Sequence, residues 1–397
     1  MSQRRLPSHL APVFAVVFID LLGFGIVIPI LPYYAKTFGA DGWDLGILMA
    51  SFSFFQFLFG PIWGHLSDRF GRKRILLLTV IGTSIGYALV GIANSLTALL
   101  LSRSISGIFS ANLSAAQAMV SESTQGEARA RALGLVGAAL GMGFLLGPPL
   151  GGALSHWGYS APLYFAAALA LINALFIWKK VQGFGPKENA QKRVGFLHSL
   201  RIVSAAPTSL LAIGLYFFFT LALTQMEVSF ALSLEKRFGI DALGTGLLMT
   251  AMGITMAIMQ MRGVRWARAR WNQSLCIAAG LGFFGVGLAF MGVAPALTWV
   301  GVGILLAAVG QSLLQPNLSA AASDQLPPEN HGLAYGAYQS AGSLARIVGP
   351  LTAGSTLAHA STETPFFTGT LILGTLLILW FVPSQKWSPN RLFSLKS

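Results

Sequence analysis

Long apolar stretches alternate with short polar or basic segments along the whole chain. Each stretch holds about 17 to 25 residues, which in a helix rising about 1.5 Å per residue is enough to cross a hydrocarbon core of roughly 30 Å. The chain has twelve of them, and each predicts a transmembrane helix. Their approximate bounds are 11–34, 44–63, 75–93, 97–120, 130–153, 161–178, 207–232, 244–262, 273–292, 297–320, 334–358 and 365–383. The pattern therefore predicts an all-α integral membrane protein.

The composition agrees with a membrane location. Hydrophobic residues make up 54% of the 397 residues and charged residues only 10%, against roughly 25% charged in an ordinary soluble domain. The first apolar stretch nevertheless contains one acid, Asp20, within VVFIDLLGFGIVIPILP at 16–32. An aspartate near the centre of a membrane helix costs roughly 2.5 to 3.5 kcal/mol on insertion scales. We therefore expect Asp20 to have a function.

The basic residues predict the orientation in the membrane. The first apolar stretch is too long for a signal-peptide core, so we expect it to be retained. With a cytoplasmic N-terminus, 21 of the 26 Lys and Arg fall in cytoplasmic segments. The other five are Lys36, Lys236 and Arg237 on the outside and Arg103 and Arg346 within spans. The positive-inside rule then places both termini in the cytoplasm. The net charge of +13 is accordingly an orientation signal, and we expect no nucleic-acid partner.

The chain divides into two similar halves. A basic hydrophilic segment separates six spans from six, which gives an N-terminal bundle at 1–178, a cytoplasmic linker at 179–206 and a C-terminal bundle with a short tail at 207–397. The pentapeptide NLSAA occurs at 112–116 and again at 317–321. Gly147 and Pro148 of the fifth span recur as Gly349 and Pro350 of the eleventh. Such matches indicate a duplicated six-helix unit, and two bundles of this kind can rock about a central site.

Three motifs resemble those of a known family. GHLSDRFGRKR at 64–74 has the form G-x-L-x-D-R-x-G-R-K, which is the signature loop of the major facilitator superfamily. RSISGIFSA at 103–111 and GAALGMGFLLGPPLGG at 137–152 resemble the fourth- and fifth-helix motifs of that superfamily. The first span resembles that of tetracycline-efflux and related twelve-helix drug antiporters. This resemblance covers essentially the whole chain. It implies two pseudo-symmetric six-helix bundles, a functional monomer and proton-coupled transport of small molecules.

The resemblance also implies which segments gate the transport path. The candidate gating loop consists of Gly64, Asp68, Arg69, Gly71, Arg72 and Lys73, and the candidate gate helices carry Gly137, Gly141, Gly147, Pro148 and Gly151 in the first half and Gly349 and Pro350 in the second. Plain close packing of helices at small residues is the alternative. We expect Asp68 to lie against the positive N-terminus of the eleventh span, near residues 332–336. The second copy of the loop, MRGVRWARARW at 261–271, has no aspartate.

Four charged residues lie inside the predicted spans: Asp20, Glu227, Arg103 and Arg346. Counted from the cytoplasmic ends of the spans, Asp20 and Arg346 lie about 14 and 18 Å deep, and the other two about 27 to 30 Å. Depth thus pairs Asp20 with Arg346 and Glu227 with Arg103, across the halves. A carboxylate whose arginine comes and goes with conformation can bind and release a proton, so we expect the acids to titrate and the arginines to modulate them. A static ion pair is the alternative.

Neutral polar residues predict the substrate path. On the fourth span Gly107, Ser110, Ser114 and Gln117 follow Arg103 at spacings of four and three, so they share one helix face. The candidates for the cavity are Asn112, Gln56, Ser110, Ser114, Gln117, Thr224, Gln225, Gln315, Asn317 and Gln339. Any single amide is better explained by hydrogen bonding between helices. Together with abundant Phe and Met, the set predicts a mostly apolar cavity for amphiphilic organic molecules.

Sequences typical of other chemistries are missing. The chain has no G-x-x-x-x-G-K-[ST] loop for ATP, no metal-ligand spacing among its histidines and a single cysteine, Cys276. We therefore expect no enzyme activity, no cofactor and no metal, with the proton gradient as the energy source. The predicted function is proton-coupled export of drugs or other hydrophobic compounds across a bacterial inner membrane. The alternatives are a transporter of a defined metabolite, such as a sugar, lipid or amino-acid derivative, and a non-transporting membrane receptor.

Overall fold

The computed structural model describes residues 11–124, 126–181, 206–324, 326–327 and 330–381, and within them all regular structure is helical. The α-helices are α1 (Ala11–Lys36), α2 (Gly42–Phe70), α3 (Arg72–Gly91), α4 (Leu96–Ile108), α5 (Asn112–Ser123), α6 (Gly126–Leu154), α7 (Ser160–Lys180), α8 (Pro207–Phe238), α9 (Ala242–Ile258), α10 (Val264–Arg270), α11 (Gln273–Val293), α12 (Leu297–Ala321), α13 (His331–His359) and α14 (Thr364–Phe381). A 3₁₀ turn, Ser155–Trp157, follows α6, and a π-helical turn, Met259–Gly263, joins α9 to α10. The predicted all-α membrane fold is confirmed.

The helices reproduce the predicted spans with one change of form. In the described chain, eight helices are long and apolar enough to cross a membrane, if Ala242–Arg270 is counted as one helix. Helices α4 and α14 are apolar but shorter. The remaining long helices, α6 and α13, have 29 residues each and coincide with the fifth and eleventh predicted spans. The fourth predicted span, expected to be continuous over 97–120, is instead divided into α4 and α5.

Contacts within the chain define two compact units, and each is described by itself. Of the described residues, unit 1 takes 11–40, 51–181 and 240–253, and unit 2 takes 41–50, 206–239 and 254–381. Each unit thus contains one short helical segment from the opposite half of the sequence. The predicted linker at 179–206 lies mostly outside the described residues, and the predicted domain bounds stay a prediction.

In unit 1, glycines bring α1 and α6 into direct backbone contact. The close approaches join Gly143 to Leu21, Gly147 to Gly25 and Gly151 to Ile26. Small residues four apart let membrane helices pack closely, and this spacing places all three contacts on one face of α6. The expected series instead began with Gly137 and Gly141. A side chain at Gly141 would meet no described atom within 4 Å, so Gly143 replaces it in this contact.

In unit 2, glycines of α13 make room for side chains of α8. The close approaches join Gly342 to the Tyr216 ring and Gly349 to Thr224. An amide then ties α8 to two neighbours: Gln225 Nε2 donates to Thr352 Oγ1 of α13 (2.9 Å), and Thr368 Oγ1 of α14 donates to Gln225 Oε1 (2.6 Å). Gln225 is buried, so these bonds satisfy polar groups that lipid could not satisfy.

The break between α4 and α5 is stabilised by side chains of α2 and α3. Helix α4 ends at Ile108, and residues 109–111 separate it from α5. A broken helix frees backbone carbonyls that have no water to bind inside a membrane. Three neighbouring side chains supply the donors: Trp63 Nε1 to the Ile108 carbonyl, Thr83 Oγ1 to the Phe109 carbonyl (3.4 Å) and Gln56 Nε2 to the Ser110 carbonyl (3.1 Å). The neighbouring helices of unit 1 therefore stabilise the interruption.

Candidate functional site

The acid of unit 1 lies beside the helix break. Asp20, half-buried on α1, accepts a hydrogen bond of 2.7 Å from Asn112 Nδ2, and the same nitrogen lies 3.1 Å from Thr83 Oγ1. Asn112 is the first residue of α5, where the helix dipole is positive and favours an anion. The break between α4 and α5 thus places a neutral amide and a helix N-terminus next to the intramembrane carboxylate.

A buried tyrosine connects this acid with the arginine of the same unit. Tyr87 lies one turn beyond Thr83 on α3 and is within electrostatic range of both Asp20 and Arg103. Arg103, on α4, has its guanidinium carbon 4.4 Å from the centre of the Phe52 ring. Gly107, one turn later, touches the Phe52 carbonyl and leaves no room for a side chain, which holds α4 directly against α2. Unit 1 therefore contains a chain of polar groups through α1, α3 and α4.

The acid of unit 2 has a cation in its own unit. Glu227 of α8 is within electrostatic range of Arg346 of α13. Arg346 also acts on Tyr338, whose ring stacks on Tyr216 with 3.7 Å between centroids and 12° between planes. Depth in the membrane had instead paired Glu227 with Arg103. Helices α8 and α13 of unit 2 thus bring Glu227 and Arg346 within electrostatic range, and the predicted pairs across the halves, Asp20 with Arg346 and Glu227 with Arg103, stay a prediction.

Neither intramembrane carboxylate is held in a direct ion pair within the described chain. The ion pairs found at 4.0 Å or less join Arg72 to Asp68 and Arg237 to Glu363. The hydrogen-bond partner of Asp20 is a neutral amide. This arrangement disfavours the alternative in which the four charges serve only as static ion pairs.

The two candidate gate helices carry contacts with segments of the opposite sequence half. In unit 1, Gly246 of α9 lies against the Pro148 carbonyl, and Gly152 lies against the backbone of residues 242–243. In unit 2, Gly46 of α2 lies against the Pro350 carbonyl and Gly354. These are backbone-to-backbone approaches at the proline-containing parts of α6 and α13. Their glycines and prolines therefore belong to interhelical contacts within each unit.

The candidate gating loop is almost entirely helical. Gly64, Asp68 and Arg69 belong to the last turns of α2, and Arg72 and Lys73 begin α3. Gly71 alone separates the helices, with a φ of 94° that side-chain-bearing residues rarely adopt. Asp68 and Arg72 form an ion pair of 2.5 Å, and Lys73 Nζ donates to the Trp178 carbonyl at the end of α7 (2.9 Å). The proposed contact of Asp68 with the start of α13 stays a prediction.

Five of the predicted cavity residues lie in two places. Asn112, Gln56 and Ser110 lie at the helix break. Gln315 and Gln339 lie near the stacked tyrosines of unit 2: the Gln315 carbonyl accepts from Tyr338 (3.4 Å), and Gln339 donates to Tyr335 (2.8 Å). Three others are buried within helix contacts: Thr224, Gln225 and Asn317. Gln117 is partly exposed. The side chain of Ser114, and the surroundings of the gate-helix candidate Gly137, lie outside what the structure describes.

Three residues at the unit 1 site were missed in the sequence: Thr83, Tyr87 and Trp63. Thr79, Thr83 and Tyr87 recur every four residues on α3, so they form a polar line on one face of an otherwise apolar helix. That spacing could have identified Thr83 and Tyr87 as candidates. Trp63 offered none, because an indole near a membrane helix end is also typical of an interfacial anchor.

Comparisons with known proteins agree with this architecture. The sequence profile of the Major Facilitator Superfamily matches residues 13–350 and 212–394. The chain is 29% identical to the tetracycline resistance protein, class E, of Escherichia coli over 85% of this chain and 84% of that protein. It is 28% identical to multidrug resistance protein 2 of Bacillus subtilis (strain 168) over 94% of each chain. The crystal structure of the human organic anion transporter MFSD10 superposes with a TM-score of 0.69 and 26% identity, covering 94% of this chain and 99% of that one.

Proposed function

The chain belongs to the Major Facilitator Superfamily, and on that premise we propose that it is a proton-coupled antiporter that exports hydrophobic or amphiphilic small molecules. The relatives at 28–29% identity are named for tetracycline and multidrug resistance, and they match most of this chain. Substrates of that kind suit a path lined mostly by apolar side chains with a few polar groups. The substrate class is therefore drug-like organic compounds rather than a strongly polar metabolite.

The observation that carries this proposal is the state of the two intramembrane acids. Asp20 is hydrogen-bonded to an amide, and Glu227 has Arg346 within electrostatic range without a direct ion pair. A carboxylate inside a membrane that is not locked to a cation can accept and release a proton when its surroundings change. Two such groups, one in each unit, support a mechanism in which protonation is coupled to a change of conformation.

The glycine and proline contacts of α6 and α13 support a gating role for those helices. Close backbone approaches need no side chain to be displaced when helices shift, so they suit surfaces that form and separate in each cycle. We propose that the protein works as a monomer in a bacterial inner membrane with both termini in the cytoplasm. The proton gradient supplies the energy, and no cofactor or nucleic acid takes part.

The proposal is tested with purified protein in liposomes that enclose a pH-sensitive dye. A proton gradient is imposed, and tetracycline, a lipophilic dye, a sugar and an amino acid are added separately. We expect proton flux that depends on the drug-like compounds and falls to the level of protein-free liposomes in Asp20→Asn and Glu227→Gln. Lys180→Gln is the control, because Lys180 is exposed at the end of α7 and belongs to neither acid site.

Three results would contradict the proposal. Equal flux in the wild type and both acid variants would remove the acids from the coupling. Flux that follows a sodium gradient would replace the proton as the coupling ion. Flux that depends only on the sugar or the amino acid would favour the metabolite transporter.

A further inference from the structure

Arg103 has an unusual environment for a buried cation. Its side chain is 4% exposed, and its Nε and Nη1 have no hydrogen-bond partner among the described residues. Within the same residues no carboxylate lies within 4.0 Å of the guanidinium. Buried polar groups in native proteins are nearly always hydrogen-bonded, and buried charges are nearly always paired. An arginine in this state indicates an anion that binds there during function.

The surroundings of Arg103 supply part of a binding site. The Phe52 ring lies under the guanidinium at 4.4 Å, and Phe24 lies 5.7 Å from Phe52, centroid to centroid. The ring face stabilises the cation and orients its plane, while the aromatic pair offers an apolar surface. The Tyr87 phenol, buried and within electrostatic range of Arg103, adds a neutral hydrogen-bond donor to the same region.

The nearby acid of unit 1 does not fill this role in the observed arrangement. Asp20 accepts its hydrogen bond from Asn112, at the start of α5. The Asp20 carboxylate therefore has a hydrogen-bond partner, whereas Nε and Nη1 of Arg103 have none within the part of the chain that the structure describes. The site can accept an anion without displacing any bond of Asp20.

We propose that Arg103, with Phe52 and Tyr87, forms a subsite for the carboxylate of an amphiphilic organic acid. The proposal rests on the transport function proposed above and names a substrate class for it. A guanidinium presents planar N–H donors that match a carboxylate, and Nε and Nη1 lie on different edges of that plane. The aromatic pair contacts the hydrocarbon part of the same molecule. Organic acids and zwitterions are then favoured over permanently cationic compounds, which a lone buried cation repels.

The test compares one molecule with and without its charge. Binding of 1-pyrenebutyric acid and of its methyl ester to the purified protein in detergent is measured at pH 7 by fluorescence. A charge-assisted hydrogen bond predicts that the wild type binds the acid about 10- to 100-fold more tightly than the ester. The acid-to-ester ratio falls to near one in Arg103→Gln and to an intermediate value in Arg103→Lys, which keeps the charge but not the planar donors. Lys180→Gln, at the exposed end of α7, keeps the wild-type ratio.

The ratio separates recognition from folding. If Arg103 only supports the structure, its substitution weakens acid and ester by the same factor, and an unchanged ratio overturns the subsite. Arg103→Lys maintains this test if the glutamine variant is not recovered as a monodisperse protein. Failure of the transport proposal is seen separately: liposomes would show no proton flux with any compound while the acid-to-ester ratio still depended on Arg103.

Discussion

The pentapeptide NLSAA occurs twice, and the two copies have different structures. In unit 1 it begins helix α5 immediately after a break, and Asn112 contacts Asp20 and Thr83. In unit 2 it lies within the continuous helix α12, where the fully buried Asn317 donates to the Leu313 carbonyl of its own helix (2.7 Å). The same five residues thus serve an intramembrane acid in one unit and helix packing in the other.

The difference shows that neighbouring helices decide the role of a repeated motif. Side chains of α2 and α3 supply donors for the carbonyls freed at 108–110, which allows the fourth span to break there. In α12 the side chain bonds back within the helix, a local solution that needs no neighbour. One copy therefore lies in the charge site of unit 1, and the other has a structural place in unit 2.

The largest expected effect separates the two asparagines directly. Asn112→Leu removes the hydrogen bond to Asp20, and we expect drug-dependent proton flux to fall by about 10- to 100-fold, the loss expected for a bond to a charged group. Asn317→Leu removes only a bond within one helix and keeps flux near the wild-type rate. Both are measured in liposomes with equal amounts of reconstituted protein. Equal losses in the two variants would show that the copies act alike.

The second prediction contrasts the two pairs of charges. Single and double variants Glu227→Gln and Arg346→Gln are expected to show a coupling energy of about 1 to 3 kcal/mol in the free energy of unfolding in detergent, because the two groups are within electrostatic range of each other. The pair Asp20→Asn and Arg103→Gln is expected to couple more weakly, because the hydrogen-bond partner of Asp20 is Asn112 and Tyr87 links the two charges only indirectly. The cross-half pair of Asp20 with Arg346 is measured as well. Coupling at that pair equal to that of Glu227 with Arg346 would restore the pairing based on depth.

The third prediction tests the break itself. Gln56→Leu leaves the Ser110 carbonyl without its donor inside the membrane, and we expect a loss of stability of about 1 to 2 kcal/mol. Thermal unfolding in detergent measures it. Leu58→Ala is the control on α2, because Leu58 is half exposed in the structure and its apolar side chain can donate no hydrogen bond at the break. A Gln56→Leu protein as stable as the wild type would mean that the break does not depend on this donor.

The smallest expected effect lies in unit 2, where α8 ends. Arg237 donates to the Met291 carbonyl (2.9 Å) and pairs with Glu363 at 3.5 Å. Partial burial raises the pKa of Glu363, but hydrogen bonds from Ser361, its own backbone and Thr362, with the Arg237 charge, outweigh this and lower the pKa below its ordinary value of 4.5.

A lowered pKa means that the Glu363 carboxylate stabilises the fold above pH 4.5, and that this contribution is lost as the pH falls through the folded-state value. Because the pair is only partly buried and lies at 3.5 Å, we expect Glu363→Gln to reduce stability by less than about 0.5 kcal/mol at pH 7. The difference from the wild type should disappear in acid. Thermal unfolding at pH 7 and at pH 3.5 checks both points, and a difference that grows in acid would contradict this assignment.

Much of the fold was readable from residue order. The length of an apolar stretch indicates a membrane helix, because a span must cover the hydrocarbon core. All twelve predicted spans coincide with helices of the described chain, the fourth as two helices. The four intramembrane charges were readable for the same reason, since any charge within such a span stands out. The glycine face of α6 was predicted only in part: Gly147 and Gly151 contact α1, while Gly143 takes the place assigned to Gly141.

The sequence by itself determined the membrane fold, its spans, its family and the chemical groups available inside the membrane, because these depend on composition and spacing along one chain. Only the tertiary structure decided which groups meet. It joined Asp20 to Asn112, placed Glu227 within electrostatic range of Arg346 and left two nitrogens of Arg103 without hydrogen-bond partners among the residues that the structure describes. The physical reason is that a buried polar group is satisfied by whichever helix packs against it, and that choice depends on shape across the whole unit.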